Sequence, residues 1–125
     1  MKEYDNKSPI YLQIITEMKM RMASGKLVAG EKIASVRELA QEFEVNPNTM
    51  QRALAEMERE HLFYTERTSG RFVTTDEGLI MTLRNHLAEQ ELKKFMGYMK
   101  QIGYTKKEII QKIETWKKEE KEWIL

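Results

Sequence analysis

The chain has 125 residues, with 21 Lys+Arg against 20 Asp+Glu and no cysteine. That length is one ordinary domain or a small domain with an appendage. The missing cysteine excludes disulfides and thiolate metal sites, and neither a signal peptide nor a membrane-length apolar run is present, so a cytoplasmic location is expected. Charge is balanced along the chain, 11 against 11 over residues 1–75 and 10 against 9 over 76–125, which sum to the 21 and 20 of the whole. A polyanion partner would therefore require the fold to gather basic groups on one face.

Residues 1–8 are polar and expected to be loose. From Ser8-Pro9, the residues Tyr11, Ile14, Ile15, Met18 and Met22 recur at helical spacing and predict an amphipathic helix over 9–24. Gly25 follows as a left-handed cap. Leu27 and Ile33 are expected in the core, with Gly30 turning the chain between them. Ser35 and Glu38 form a capping box, and Val36, Leu39, Ala40 and Phe43 give a second, short helix. Glu44 and Val45 connect it to a third, where Asn46 is the N-cap, Pro47 suits the first helical position, and Met50, Ala53, Leu54 and Met57 form the apolar stripe. Runs 62–66 and 71–74 flank a Ser69-Gly70 turn and predict a hairpin. Asp76 is an N-cap candidate. Leu79, Ile80, Leu83, Leu87, Leu92, Phe95, Met96, Met99 and Ile102 then predict a helix of roughly 25 residues, with a one-residue slip after Leu87. Gly97 inside it points to a close helix contact or a bend. Gly103 stops that helix, Thr105 and Glu108 form a second capping box, and Ile109, Ile110, Ile113, Trp116 and Trp123 predict a last helix with Lys112, Lys117, Lys118 and Lys121 on its other face.

The fold class expected is mainly α with a small β-hairpin: a winged helix-turn-helix over residues 1–75 and a two-helix tail over 76–125. In a helix-turn-helix the second helix of the pair sends its N-terminal side chains to base edges. Here these are Asn46, Asn48, Thr49, Gln51 and Arg52. Asn and Gln pair with adenine through two hydrogen bonds, and Arg with guanine. Arg67 and Arg71 flank the hairpin tip, where phosphates or the minor groove lie within reach. The tail helices cannot bury both apolar stripes alone, so pairing with a second copy is expected through Leu83, Leu87, Leu92, Phe95, Met96, Met99, Ile109, Ile113 and Trp116. Met81, Phe95, Met96, Met99, Trp116 and Trp123 could instead line an effector pocket; core and dimer seam is the favoured reading, and no effector can be named. His61 and His86 fall in no nucleophile or metal spacing, and no phosphate-binding glycine loop occurs, so no enzyme, cofactor or metal site is expected. The competing reading is a protein-docking winged helix, which the balanced charge favours and the polar start of the third helix opposes.

These residues resemble the GntR family of bacterial transcription regulators. The resemblance rests on Pro9-Ile10-Tyr11, Gly30, Ser35-Val36-Arg37-Glu38-Leu39-Ala40, Val45-Asn46-Pro47-Asn48-Thr49 with Arg52-Ala53, and Gly70-Arg71-Phe72-Val73. The short tail, with Ile102-Gly103-Tyr104, resembles the YtrA-like subfamily. The resemblance implies a homodimeric repressor on a double-stranded operator, frequently of a transporter operon. It also implies DNA contacts from Arg37, from the start of the third helix, and from the wing around Gly70 and Arg71. Most family members carry a large C-terminal effector domain, which this length does not accommodate. Three positions depart from the pattern: Ala34 stands where proline is usual, Pro47 replaces a DNA-contacting arginine, and His61 stands where glycine is common before the wing.

Overall fold

The computed structural model describes residues 3–119, with side chains described as far as residue 116. Trp123 and Lys121, and the side chains of Lys117 and Lys118, lie outside the described residues. Compact packing divides the chain into Met1–Asn85 and His86–Leu125, a division that falls ten residues beyond the expected end of the winged helix at residue 75.

In the first unit, α1 (Ile10–Ala23) starts one residue after Pro9, whose extended backbone lets its carbonyl accept from the Leu12 and Gln13 N–H groups. Ile14, Ile15, Met18 and Met22 are buried from it. Gly25 takes φ +84° just past its end, so it is the left-handed residue that turns the chain. α2 (Val36–Phe43) opens on the full capping box: Ser35 Oγ accepts from the Glu38 N–H, and Glu38 Oε1 accepts from the Ser35 N–H, each at 3.1 Å. Hydrogen bonding to the Glu38 carboxyl from the Ser35 backbone N–H, and from the Ser35 hydroxyl, holds it below the usual carboxylate range. α2 ends at Glu44 with φ 54°, a left-handed cap without glycine. α3 (Pro47–Arg59) follows, with Asn46 Oδ1 accepting from the Asn48 N–H at 2.7 Å.

β1 (Phe63–Glu66) and β2 (Gly70–Val73) pair antiparallel, with Phe63 opposite Val73 and Thr65 opposite Arg71. The approach to α2 adds a third edge. Lys32 bridges Phe72, the Ile33 N–H donates to the Arg71 carbonyl, and the Val73 N–H to the Glu31 carbonyl. Of the two residues expected in the core there, Ile33 is buried and Leu27 only half-buried. Leu27 sits in the turn between Gly25 and Gly30, where the chain runs over the surface.

The core of this unit is Phe43, Phe63, Ile14, Met18, Met22, Met50, Leu54, Met57 and Val73, all essentially inaccessible. Each contributes about 1.5–3 kcal/mol by leaving water. Arg21 locks α1 to α2 at the edge of this core. Its guanidinium lies 4.9 Å over the Phe43 ring and pairs with Glu42 at 2.6 Å and Glu17 at 2.9 Å. Burial works against its charge, but the two carboxylates outweigh it and raise its pKa.

α4 (Glu77–Gln101) begins in the first unit with Asp76 Oδ1 accepting from the Leu79 N–H. Its portion beyond Asn85 and α5 (Lys106–Glu119) make the second unit. Gly103, at φ +95°, stops α4, and the Thr105–Glu108 capping box opens α5 with bonds of 2.9 and 3.2 Å. Gly97 does not mark a close helix contact in this chain, because a Cβ there would meet nothing within 4 Å. Ile109 is buried, whereas Leu92, Phe95, Tyr98, Ile102, Ile110, Ile113 and Trp116 are all exposed.

Candidate nucleic-acid interface

The core stripe of α3 decides which of its side chains face outward. Met50, Ala53, Leu54 and Met57 are buried. At 3.6 residues per turn the opposite side carries Asn48, Gln51 and Arg52, spread over about 100° of the helix circumference. All three are exposed, and Thr49 is half-buried. Asn46 is committed to the cap by its bond to the Asn48 N–H, so its side-chain oxygen is already engaged. Arg37 sits in the first turn of α2, exposed, with its charge uncompensated among the described residues.

The fold sorts the cations that the composition left balanced. Arg21, Arg59, Arg71 and Lys19 are ion-paired, to Glu17 and Glu42, Glu56, Glu58 and Glu60 respectively. Arg37, Arg52 and Arg67 have no carboxylate partner among the described residues. Arg52 instead lies with its guanidinium carbon 3.8 Å over the Tyr11 ring. That stacking fixes the flat face and leaves the N–H edges available for hydrogen bonding. Among the described residues, cations without a carboxylate partner thus occur on α2, on α3 and in the wing turn.

The wing divides its two arginines. Arg67 is exposed in the turn. Arg71 is turned onto α3, its Nε donating to Glu58 Oε1 at 2.8 Å, with the Thr65 hydroxyl donating to the same carboxylate oxygen. Burial pushes the Glu58 carboxyl up, but the bonds from Thr65 and Arg71 together hold it below the ordinary range. Gly70 has φ +114°, and a Cβ there would lie 3.1 Å from Lys32 Cε. The positive φ is what favours glycine, since the flexible Lys32 stem could give way by a few tenths of an ångström. His61 adopts φ 63° before the wing, so the backbone keeps a glycine-like turn with a histidine in it. The Tyr11–Arg52 stack, the Glu58–Arg71 pair and the position of Lys32 were not read from sequence. No short-range pattern joins Tyr11 to Arg52, although the partners Thr65 and Arg71 could have been derived from the hairpin register.

Two capped helices with an outward polar face, followed by an antiparallel wing, define a winged helix-turn-helix regulator that binds DNA. Residues 10–73 match the family described as bacterial regulatory proteins, gntR family, and the chain belongs to that family. It is 37% identical over 114 residues to the uncharacterized HTH-type transcriptional regulator YhcF of Bacillus subtilis, covering 91% of this chain and 94% of the relative. It is 34% identical to the HTH-type transcriptional repressor YtrA of the same organism, over 77% of this chain and 85% of that one. Among solved structures, a GntR family transcriptional regulator from Listeria monocytogenes superposes with TM-score 0.83 at 39% identity, covering 90% of this chain and 98% of that one. The AraR DNA-binding domain in complex with operator ORX1 superposes with TM-score 0.55 at 25% identity, covering 59% of this chain and 95% of that one. The chain is therefore a DNA-binding transcriptional regulator and not an enzyme, and the protein-docking alternative gives way. No described helix is long and apolar enough to cross a membrane.

Proposed function

We propose that the chain is a homodimeric repressor that reads a palindromic operator. Asn48, Gln51 and Arg52 are the readers in this proposal, with Thr49 and the capping Asn46 at the start of α3. Arg37, Arg67 and Gly70 belong to the surrounding backbone-facing surface, while Arg71, expected there from the sequence, is engaged by Glu58 and set back from it. The observation that carries the reading is the sorting of charge: among the described residues Arg37 on α2, Arg52 on α3 and Arg67 in the wing turn have no carboxylate partner, while Arg21, Arg59 and Arg71 of the same unit are ion-paired. The name of the YtrA relative supports repression, and the subfamily resemblance makes a transporter operon the first target to examine.

The second copy is assigned to the tail. Leu92, Phe95, Ile113 and Trp116 are between 41% and 53% exposed, and Leu87, Met96 and Met99 are half-buried. A unit of this size cannot bury so much apolar surface alone. Leu83 and Ile109 are already buried within the single chain, so in this proposal they support their helices from behind the seam.

Selection of bound fragments from the source genome, followed by affinity at two salt concentrations, tests the proposal. The expected result is one palindromic site whose half-sites lie one or two helical turns apart, bound with steep salt dependence. A non-palindromic site bound by a monomer would overturn it.

A further inference from the structure

Within the operator-reading proposal, we propose that Lys32 supplies a phosphate contact at the wing in addition to Arg67, and that Arg71 is a positioning residue that holds the wing against α3. Strand alternation separates the two. Successive side chains of a strand point to opposite faces. Arg71 and Val73 therefore share a face with their partners Thr65 and Phe63. Phe63 and Val73 are core residues, so this is the inward face, and Arg71 meets Glu58 there. Its side chain is 17% exposed. A guanidinium bonded to a carboxylate that also accepts from Thr65 presents little net charge to a phosphate. Withdrawing it would leave the Glu58 carboxylate uncompensated beside a polyanion.

The other face carries Tyr64 and Phe72, stacked with ring centroids 5.6 Å apart. Lys32 joins it through its bridge to Phe72. Its stem runs over the tip glycine, with Cε 3.1 Å from where a Gly70 Cβ would lie. Backbone pairing thereby places Lys32 beside the wing tip. Lys32 is exposed and has no ion pair among the described residues, even with Glu66 on the same face. An ammonium on a flexible stem suits a phosphate, which asks for a point charge and no fixed angle.

The test uses the full chain and two duplexes, the genome-selected operator and an unrelated sequence. The slope of log affinity against log salt is measured for the parent, Lys32→Gln, Lys32→Arg and Arg71→Gln, with thermal melts to confirm folding. Each phosphate contact contributes about 0.9 to that slope on B-form DNA. Lys32→Gln is expected to flatten the slope by about that amount on both duplexes, Lys32→Arg to retain it, and Arg71→Gln to lower the melting temperature with the slope unchanged. An unchanged slope in Lys32→Gln, or a slope flattened by about one contact in Arg71→Gln, would overturn the assignment. Failure of the operator proposal has a different signature: equal affinity of the parent for both duplexes.

Discussion

Replacing His61 by glycine should stabilise the protein. His61 is exposed, follows the last turn of α3 and sits at φ 63°. Its N–H donates to the Glu58 carbonyl at 2.9 Å, a bond that glycine keeps. An L-residue in the left-handed region costs roughly 1–2 kcal/mol, because Cβ crowds the following carbonyl. Glycine removes that crowding but loses about 0.4–1 kcal/mol through the greater freedom of the unfolded chain. The net expectation is a gain of about 0.5–1 kcal/mol, visible as a melting point raised by roughly 2–8 °C for a unit of this size. Urea unfolding supplies the free energy, and His61→Ala is the control. Alanine removes the imidazole but keeps Cβ, so it should gain nothing. If His61→Gly proves no more stable than His61→Ala, the backbone at this turn stores no strain and the reasoning fails.

Phe43→Ala should cost about 3–5 kcal/mol in urea unfolding, since the ring is fully buried and also carries the Arg21 guanidinium. Asn48→Ala and Gln51→Ala should each reduce discrimination between operator and mismatched duplex by about 1–3 kcal/mol, whereas Arg37→Ala should weaken both duplexes alike; competition binding separates the two patterns. Paired substitutions Leu92→Glu and Phe95→Glu should give a folded monomer by sedimentation, and a persistent dimer would place the seam elsewhere. Glu58, whose carboxyl is held low in the folded state, contributes stability that is present above the ordinary carboxylate pKa and lost as pH falls through its depressed folded value. Glu58→Gln should therefore lose less stability than the parent between pH 6 and pH 3, as followed by urea midpoints.

What could be read from the sequence was what depends on near neighbours. Ser35 with Glu38, Asn46 with Pro47, and Thr105 with Glu108 each announce a helix start within four residues, and all three capping arrangements form. The apolar stripes of α2 and α3 likewise fix which side chains are left outward. The left-handed cap at Glu44 was not legible, because nothing in a glutamate signals positive φ. The pairing of Arg71 with Glu58 was missed for a different reason. It requires knowing that β2 presents residue 71 to α3, a fact set by register across 13 positions of chain. Lys32 was passed over because the local sequence offers only an isolated lysine in a turn, and its place at the wing tip comes from pairing with a strand 40 residues later.

The segment before α1 is tied to the end of α2. The Tyr4 hydroxyl donates to the Phe43 carbonyl at 2.6 Å, and the Gln13 amide holds the chain between through the Asp5 and Ser8 carbonyls. Phe43 is the last residue of α2, so this carbonyl is one the helix itself cannot satisfy. The N-terminal arm thus acts as a latch on the helix that carries Arg37. Amide exchange at the end of α2 should be gated by release of that latch, and a protease cutting near residue 6 should accelerate it. Alkali would do the same without a protease. A phenolate has no proton to donate, and burial together with the nearby Glu44 raises the Tyr4 pKa, so release should need a higher pH than an exposed tyrosine would.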